Sequence, residues 1–415
     1  AYNVLVLTEH LEFAPERDAE VFATVPAAPA VFLLRGDDAQ AEPYVSKTAN
    51  LRRRLQRLLG PVEERTRKLN LRDRVRSVEY TPTGSDFESG FVLYKILRAT
   101  FPKTYGNRLR FRFAPLVKLH LENEYPRVSI TTRLSRLGGR SLYYGPFQSR
   151  MAAEKFMNDS LDFFKMRRCV DNLQPDPKFP GCIYSEMKMC LAPCFKGCTD
   201  EEYSAEVGRV QAYFDSGGES LSREFSAQRD SASTNLAFED AAAIHARLEK
   251  LNPVLGQLPE IVRRLDRFVA LMIQPGKAQP SQIAESVRFF GIANGSIAEP
   301  VTFCIQSGEH AKSQSMESRI QGVLSATPPA KTKSSPEIME HLALLKRWYY
   351  RSSRTGEIFF ADENGALPMR RIVRGIGRVL RGEKPEQIPA AQAPGTQANG
   401  GLNLNQAEPS QEKQQ

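Results

Sequence analysis

The spacing of apolar positions divides the chain into stretches of period two, stretches of helical period, and stretches with neither. Residues 2–7 read as a short strand followed by a turn. Residues 31–34 and 43–45 read as the two strands of a hairpin around Gly36-Asp37-Asp38, because alternating apolar runs flank a turn sequence. A basic helix is expected over 49–59 and stops at Gly60-Pro61,. A strand over 75–80 leads to Ser85, which with Glu88 fits a capping box,. The helix that follows, 86–100, carries Phe87, Phe91, Tyr94 and Leu97 at helical spacing and ends before Pro102,. The order β-β-α-β-α predicts a small α/β module over 25–110, after an N-terminal segment 1–24.

Residues 111–150 alternate apolar and polar positions and predict a small β region,. A helix over 152–168, with Phe156, Met157, Ser160, Leu161 and Phe164 on one face, opens a cysteine-bearing segment that spans 151–200. Within a helical region over 201–256, residues 201–251 read as two helices parted by Ser216-Gly217-Gly218. In 257–388, strands are expected over 268–273, 287–290 and 301–305. A mobile Ser-, Pro- and Lys-rich stretch covers 307–336. A helix over 337–350, a hairpin around 362–365 and a basic C-terminal helix complete the region. From 389 the chain is rich in Gln, Ala, Pro and Gly, a composition that buries too little to order itself,. The fold class is therefore α/β and multidomain.

Charge adds a partner class to this outline. The 415 residues hold 57 Lys and Arg against 48 Asp and Glu, a net charge of +9. Such an excess favours a polyanion, since cations on phosphates release condensed counterions. No apolar run approaches the roughly 18 residues of a transmembrane helix. The N-terminal stretch is acidic, unlike a signal peptide,. A cytoplasmic protein with no membrane partner is expected. Trp348-Tyr349-Tyr350 beside Arg351 and Arg354 could stack bases, although such a run is more often half-buried helix,.

Five of the six cysteines fall within 169–198: Cys169, Cys182, Cys190, Cys194 and Cys198, with gaps of 12, 7, 3 and 3 residues. Thiols at this density in a reducing compartment point to a thiophilic centre, either Zn²⁺ or an iron–sulfur cluster, both of which need about four sulfurs. The spacing differs from that of a zinc ribbon. Cys304 lies in an apolar strand and is expected in the core.

The segment from Arg167 to Cys198, RRCVDNLQPDPKFPGCIYSEMKMCLAPCFKGC, resembles that of one family closely: the bacterial UvrC excinucleases, which make the incisions in nucleotide excision repair. Tyr144-Gly145-Pro146-Phe147 is similar to a signature that precedes it there. The resemblance implies a [4Fe–4S] cluster on Cys169, Cys182, Cys190 and Cys194, with Cys198 as an extra thiol. It also implies that the N-terminal module is GIY-YIG-like. Ala30-Val31-Phe32 and Tyr44-Val45-Ser46-Lys47 stand for its two motifs, Arg54 for its arginine, and Asn107 ends a stretched third motif that begins at Pro102. Residues 235–242 resemble a UVR motif, a helical hairpin that binds the helicase subunit UvrB, here through Phe238, Glu239 and Ala242. The region after 257 resembles a shortened RNase H-like remnant. The implied partners are damaged double-stranded DNA and a UvrB-like helicase.

The nuclease chemistry of that fold is metal-assisted phosphodiester hydrolysis. A tyrosine assists the attacking water, an arginine stabilises charge, and a glutamate holds Mg²⁺ or Mn²⁺. Tyr44, Lys47, Arg54 and Asn107 fill the expected places. Phe32 replaces a tyrosine, and Leu93 stands where the glutamate should be; residues 89–121 contain no Asp or Glu. Arg52, Arg53 and Arg57 form either a DNA backbone track or a solvated helix face. Two functions follow from the resemblance: a UvrC-like subunit that binds damaged DNA with UvrB and makes at most one incision, or a non-catalytic paralogue that binds DNA or UvrB and regulates the working enzyme. The missing carboxylate favours the second. A zinc-dependent adaptor is a third.

Overall fold

The computed structural model describes residues 7–38, 40–61, 69–170, 173–277, 285–305, 315–326 and 333–386. The expected strand over 2–7 lies almost wholly outside them, as do the tail from 389 and, within the stretch 307–336 expected to be mobile, residues 307–314 and 327–332. The first strand observed is β1 (Glu9–Glu12), and the turn expected after it is instead a short helix, α1 (Asp18–Thr24), anchored by buried Val21. β2 (Ala30–Arg35), β3 (Tyr44–Thr48), α2 (Leu51–Leu59), β4 (Ser77–Pro82) and α3 (Asp86–Thr100) follow. The sheet order is β1-β4-β2-β3, antiparallel throughout.

β2 is apolar on both faces because it lies between two layers. Phe32 and Leu34 pack on Leu51, Leu55 and Leu58 of α2, while Val31 and Leu33 pack on Val92 and Ile96 of α3. Asn50 caps α2 by accepting from the Arg53 N–H at 2.9 Å,. Ser85 caps α3 in the same way through Glu88. The capping box is only half formed, because the Glu88 carboxylate takes the Gly84 N–H at 2.7 Å and the Arg288 guanidinium at 3.0 Å instead.

After α4 (Tyr105–Leu109), the expected β region forms from β5 (Leu116–Leu119), β6 (Val128–Thr131) and β7 (Leu142–Gly145). α5 (Arg150–Leu161) ends earlier than its apolar periodicity suggests. The cysteine segment that follows contains a short helix, α6 (Ile183–Glu186), and a 3-10 turn at Pro193–Phe195. The stretch expected as two helices is three: α7 (Asp200–Asp215), α8 (Glu219–Thr234) and α9 (Phe238–Gly256). α7 accounts for the early end of α5 by taking over the backbone donors beyond it. The Lys165 N–H goes to Glu206 at 2.5 Å and the Arg167 N–H to the Tyr203 hydroxyl at 3.2 Å.

The additional break between helices falls at Leu236, which adopts a left-handed φ of 59° with no glycine or proline beside it. At the first break, Gly218 sits at φ 94°, and a Cβ there would lie 2.0 Å from Leu255 Cδ2. Gly218→Ala should therefore destabilise by about 1–3 kcal/mol, combining left-handed strain with overpacking; urea denaturation measures it.

β8 (Arg263–Arg264) closes the middle sheet in the order β6-β5-β7-β8. The last sheet contains β9 (Val269–Pro275), β10 (Ser286–Ala293), β11 (Ser296–Ile297) and β12 (Val301–Cys304). Then come α10 (Met316–Ala326), α11 (Ser335–Tyr349), β13 (Glu357–Phe360) and α12 (Met369–Leu380). β9 lies between β10 and β13, and every pairing is antiparallel. α10 falls inside the stretch expected to be mobile. The hairpin expected around 362–365 is a turn from β13 into α12: the Asp362 carboxylate accepts the Asn364 and Ala366 N–H groups at 2.9 and 2.8 Å. Cys304 is exposed rather than in the core, because β12 pairs only with β10 among the described residues.

α3 is the wall shared by the N- and C-terminal parts. Its second face packs Phe87 and Phe91 edge-on to Phe290 of β10, at 5.1 and 6.0 Å, and Tyr94 edge-on to His341 of α11 at 5.5 Å. Among the described residues, no helix is long and apolar enough to cross a membrane.

Candidate nuclease face, cysteine segment and helical hairpin

Strand periodicity decides where the motif residues of β3 point. Successive side chains alternate between faces, so Tyr44 and Lys47, three apart, lie on opposite sides. Tyr44 packs on the α2 side, where Arg54 Nη2 donates to its hydroxyl at 2.9 Å. Lys47 faces α3, where its ammonium meets Asp86 Oδ1 at 2.5 Å. The other Asp86 oxygen is held by Arg351 of the C-terminal region, also at 2.5 Å. Partial burial opposes ionisation of Asp86, but the hydrogen bonds and charges of Lys47 and Arg351 hold its carboxyl below the usual carboxylate range,.

The only acids of α3 are Asp86 and Glu88, both in its first turn. Glu88 is buried and turned inward to Arg288. Leu93, at the position the resemblance gives to the glutamate, is half-buried between the two parts. Asn107 is exposed on α4. The structure thus brings Tyr44 to Arg54 and Lys47 to Asp86, and joins the two pairs through no shared carboxylate. Arg52 is spent inside the fold: its guanidinium donates to the carbonyls of Val25 and Ala23 at the end of α1, at 2.9 and 3.3 Å. Arg53 and Arg57, one turn apart, are exposed. Sequence reasoning missed Asp86 and Arg351, which are 265 residues apart.

The cysteine segment runs from the end of α5 to the start of α7. Three of its non-glycine residues, Lys188, Ala192 and Lys196, have left-handed backbones that fold the loop back on itself. The Ala192 N–H donates to Cys190 Sγ and Arg167 Nη1 to Cys169 Sγ, each at 3.3 Å. Burial pushes the Cys190 thiol up to about 11, against the Ala192 hydrogen bond and with help from Cys169, Cys194 and Cys182. Burial also raises Cys194, again with Cys182 and Cys169. Cys190 and Cys194 therefore both lie within reach of the charge of Cys169 and Cys182. Cys198 is raised by burial, then by Glu202 and Asp200 of α7, and last by Cys194. All six cysteines are free. Among the described residues, no three His, Cys, Asp or Glu side chains close on one point as a ready-made metal site. Two of the thiols, Cys169 and Cys190, are met by N–H donors of the kind that stabilise metal-bound sulfur,.

α8 and α9 pair as a hairpin. Leu248, Leu251 and Val254 of α9 are buried, whereas Phe238, Glu239 and Ala242 in its first two turns are exposed. Leu236 and Phe238 leave 72 % and 64 % of their surface uncovered at the tip, an apolar pair of the kind that marks a protein contact.

The mixed α/β chain thus carries its cysteine segment between α5 and α7, ahead of the α8–α9 hairpin. Residues 115–213 match the family described as UvrC/Cho excinuclease, middle domain. Over this stretch the chain carries a UvrC/Cho excinuclease middle domain. It is similar to "UvrABC system protein C" of Carboxydothermus hydrogenoformans, 28% identical over 240 residues, covering 57% of this chain and 39% of that protein. The protein of the same name from Ectopseudomonas mendocina is 29% identical over 264 residues, covering 63% and 42%. That from Rickettsia bellii is 27% identical over 239 residues, covering 56% and 36%. The chain thus spans about two fifths of the length of these curated relatives. No solved structure matches.

Proposed function

We propose that this chain is a UvrC-like subunit of nucleotide excision repair that binds damaged DNA together with a UvrB-like helicase, and that it does not cut through its N-terminal module by the ordinary metal-assisted route. The match across the middle domain, which encloses the cysteine segment, carries the family relationship on which this rests. In this reading the N-terminal module is GIY-YIG-like and Cys169, Cys182, Cys190 and Cys194 hold a [4Fe–4S] cluster. The sheet β9–β13 is a reduced RNase H-like region, in which buried Glu357 is tied to Arg378 at 2.8 Å.

The non-cutting half of the proposal is supported by the position of Leu93 and by the engagement of Asp86 with two cations. A divalent ion in such a site would polarise the phosphate and stabilise the leaving oxygen. Mg²⁺ and Mn²⁺ need oxygen ligands, and α3 offers none at Leu93. Tyr44 and Arg54 remain able to hold a phosphate, so the module is assigned to positioning DNA, with Arg53 and Arg57 on its exposed helix face.

The hairpin tip supplies the UvrB contact. Phe238→Asp should weaken binding to a UvrB-like partner at least tenfold, as loss of an aromatic anchor does. Its thermal midpoint should stay within about 2 °C of wild type, because Phe238 is exposed and surface changes cost little,. Titration by biolayer interferometry reads the first and calorimetry the second. Unchanged affinity would remove the hairpin from the interface.

A further inference from the structure

One cavity is left unexplained by the repair reading. It measures about 360 Å³, within the roughly 300–1,000 Å³ range of small-molecule sites. It lies between the start of α3, the loop after β3 and the end of α11. Its apolar walls include Phe87, Leu93, Leu344 and Trp348. Five ionisable groups line it: Lys47, Asp86, Arg347, Arg351 and Arg354. Four are cations, and the single acid engages Lys47 and Arg351.

Arg347 and Arg354 make no ion pair among the described contacts. Arg347 is oriented by the carbonyls of Leu109 and Arg110, at 3.1 and 3.2 Å. Burial, then the nearby charges of Arg351 and Arg112, push its guanidinium below the usual range against the opposing charge of Asp86,. Arg354 donates to the Tyr349 carbonyl at 2.8 Å and lies 4.4 Å from the Tyr349 ring and 5.4 Å from that of Trp348. The positive end of α3 lies at the rim, where Ser85 and Asp86 line the cavity,.

We propose that this cavity takes one nucleotide, its base against Trp348 and Phe87 and its phosphate on Arg347 and Arg354. An apolar aromatic wall suits the face of any base, and two oriented guanidinium groups suit phosphate better than ammonium groups would. The same chemistry serves a free nucleotide or one unstacked from a strand, which nucleic-acid proteins seat in pockets of this kind. The inference goes beyond the repair proposal and does not depend on UvrB.

The chain has a single tryptophan, and it lines the cavity, so its fluorescence reports on this place alone. The full chain is titrated with thymidine 5′-monophosphate, with a short oligothymidylate and with inorganic phosphate. Saturable quenching by the mononucleotide is expected, with inorganic phosphate at least tenfold weaker. Tighter binding of the oligothymidylate would assign the pocket to a strand; equal binding would assign it to a free nucleotide. Gly90 also lines the cavity, and a Cβ built on it meets nothing within 4 Å. Gly90→Leu should therefore fill the space and abolish quenching, and helix propensity favours its folding. Arg347→Ala should weaken the mononucleotide about tenfold. Three results would overturn the proposal: no quenching at millimolar nucleotide, phosphate as effective as the nucleotide, or quenching that survives Gly90→Leu. Any of them with the Phe238-dependent UvrB contact intact would sink the pocket and leave the repair proposal standing.

Discussion

Arg288→Met should lower the stability of the chain by about 3–5 kcal/mol, the cost of leaving a buried charge without its partner. Its partner Glu88 leaves only 2 % of its side chain exposed, at 3.0 Å from Arg288 Nε. Glu88 sits on α3 of the N-terminal module and Arg288 on β10 of the C-terminal sheet, so the pair ties the two parts together. Arg288 also bonds Thr302 on β12. After its loss, the carboxylate keeps the Gly84 N–H and the weaker pull of the Lys277 charge among the contacts described. Glu88→Leu combined with Arg288→Met should recover much of the loss, because an apolar pair of similar volume often replaces a buried ion pair without penalty. Urea denaturation of the two single variants and the double variant checks this. Additive losses would mean that the two residues act separately.

The second large effect concerns the cysteine segment. Protein prepared without air should contain iron and acid-labile sulfide. Cys190→Ser should lose most of both and raise protease cleavage within 173–198 by tenfold or more. Structural metal centres contribute on the order of 10 kcal/mol of folding energy to segments with little core of their own. Few side chains here are buried: Ala192 and Pro193 are, while Phe179, Ile183 and Met187 are exposed. Cys198→Ser should keep its iron, because Cys198 is the extra thiol beyond the four that the resemblance assigns to the cluster, and of those four only Cys194 bears on it. Stoichiometric zinc without sulfide would replace the cluster with a zinc site, and loss of metal in Cys198→Ser would change the ligand set. Elemental analysis and limited proteolysis distinguish these results.

The elements legible in the sequence were those in which local pattern and burial agree. The spacing of Phe87, Phe91, Tyr94 and Leu97 located α3, and its capping serine located the start. The cysteine spacing located its segment between a helix and a helical hairpin. α10 was hidden by a flanking Ser-, Pro- and Lys-rich composition, although Ile320 anchors it. Leu236 breaks a helix with only Asn235 beside it and no glycine or proline, so the third helix was not separated from the second,. Cys304 looked buried because its neighbours are apolar, but whether a strand has a partner on its outer side is a tertiary fact. The opposite facing of Tyr44 and Lys47 was readable from parity once β3 was recognised. The Arg351–Asp86 and Arg288–Glu88 pairs were not, because they join residues 265 and 200 positions apart.

The measurement that bears most directly on the repair proposal is incision of a lesion-containing duplex labelled at each end, with UvrA, UvrB, ATP and Mg²⁺ or Mn²⁺. Wild type and Tyr44→Phe are run side by side, with binding to the UvrB–DNA complex followed in the same samples. A binding protein without a working nuclease should join the complex and leave both strands uncut, with Tyr44→Phe indistinguishable in cutting. A cut beside the lesion that disappears in Tyr44→Phe would contradict it, and would show that the Tyr44–Arg54 pair still catalyses hydrolysis without a carboxylate at Leu93.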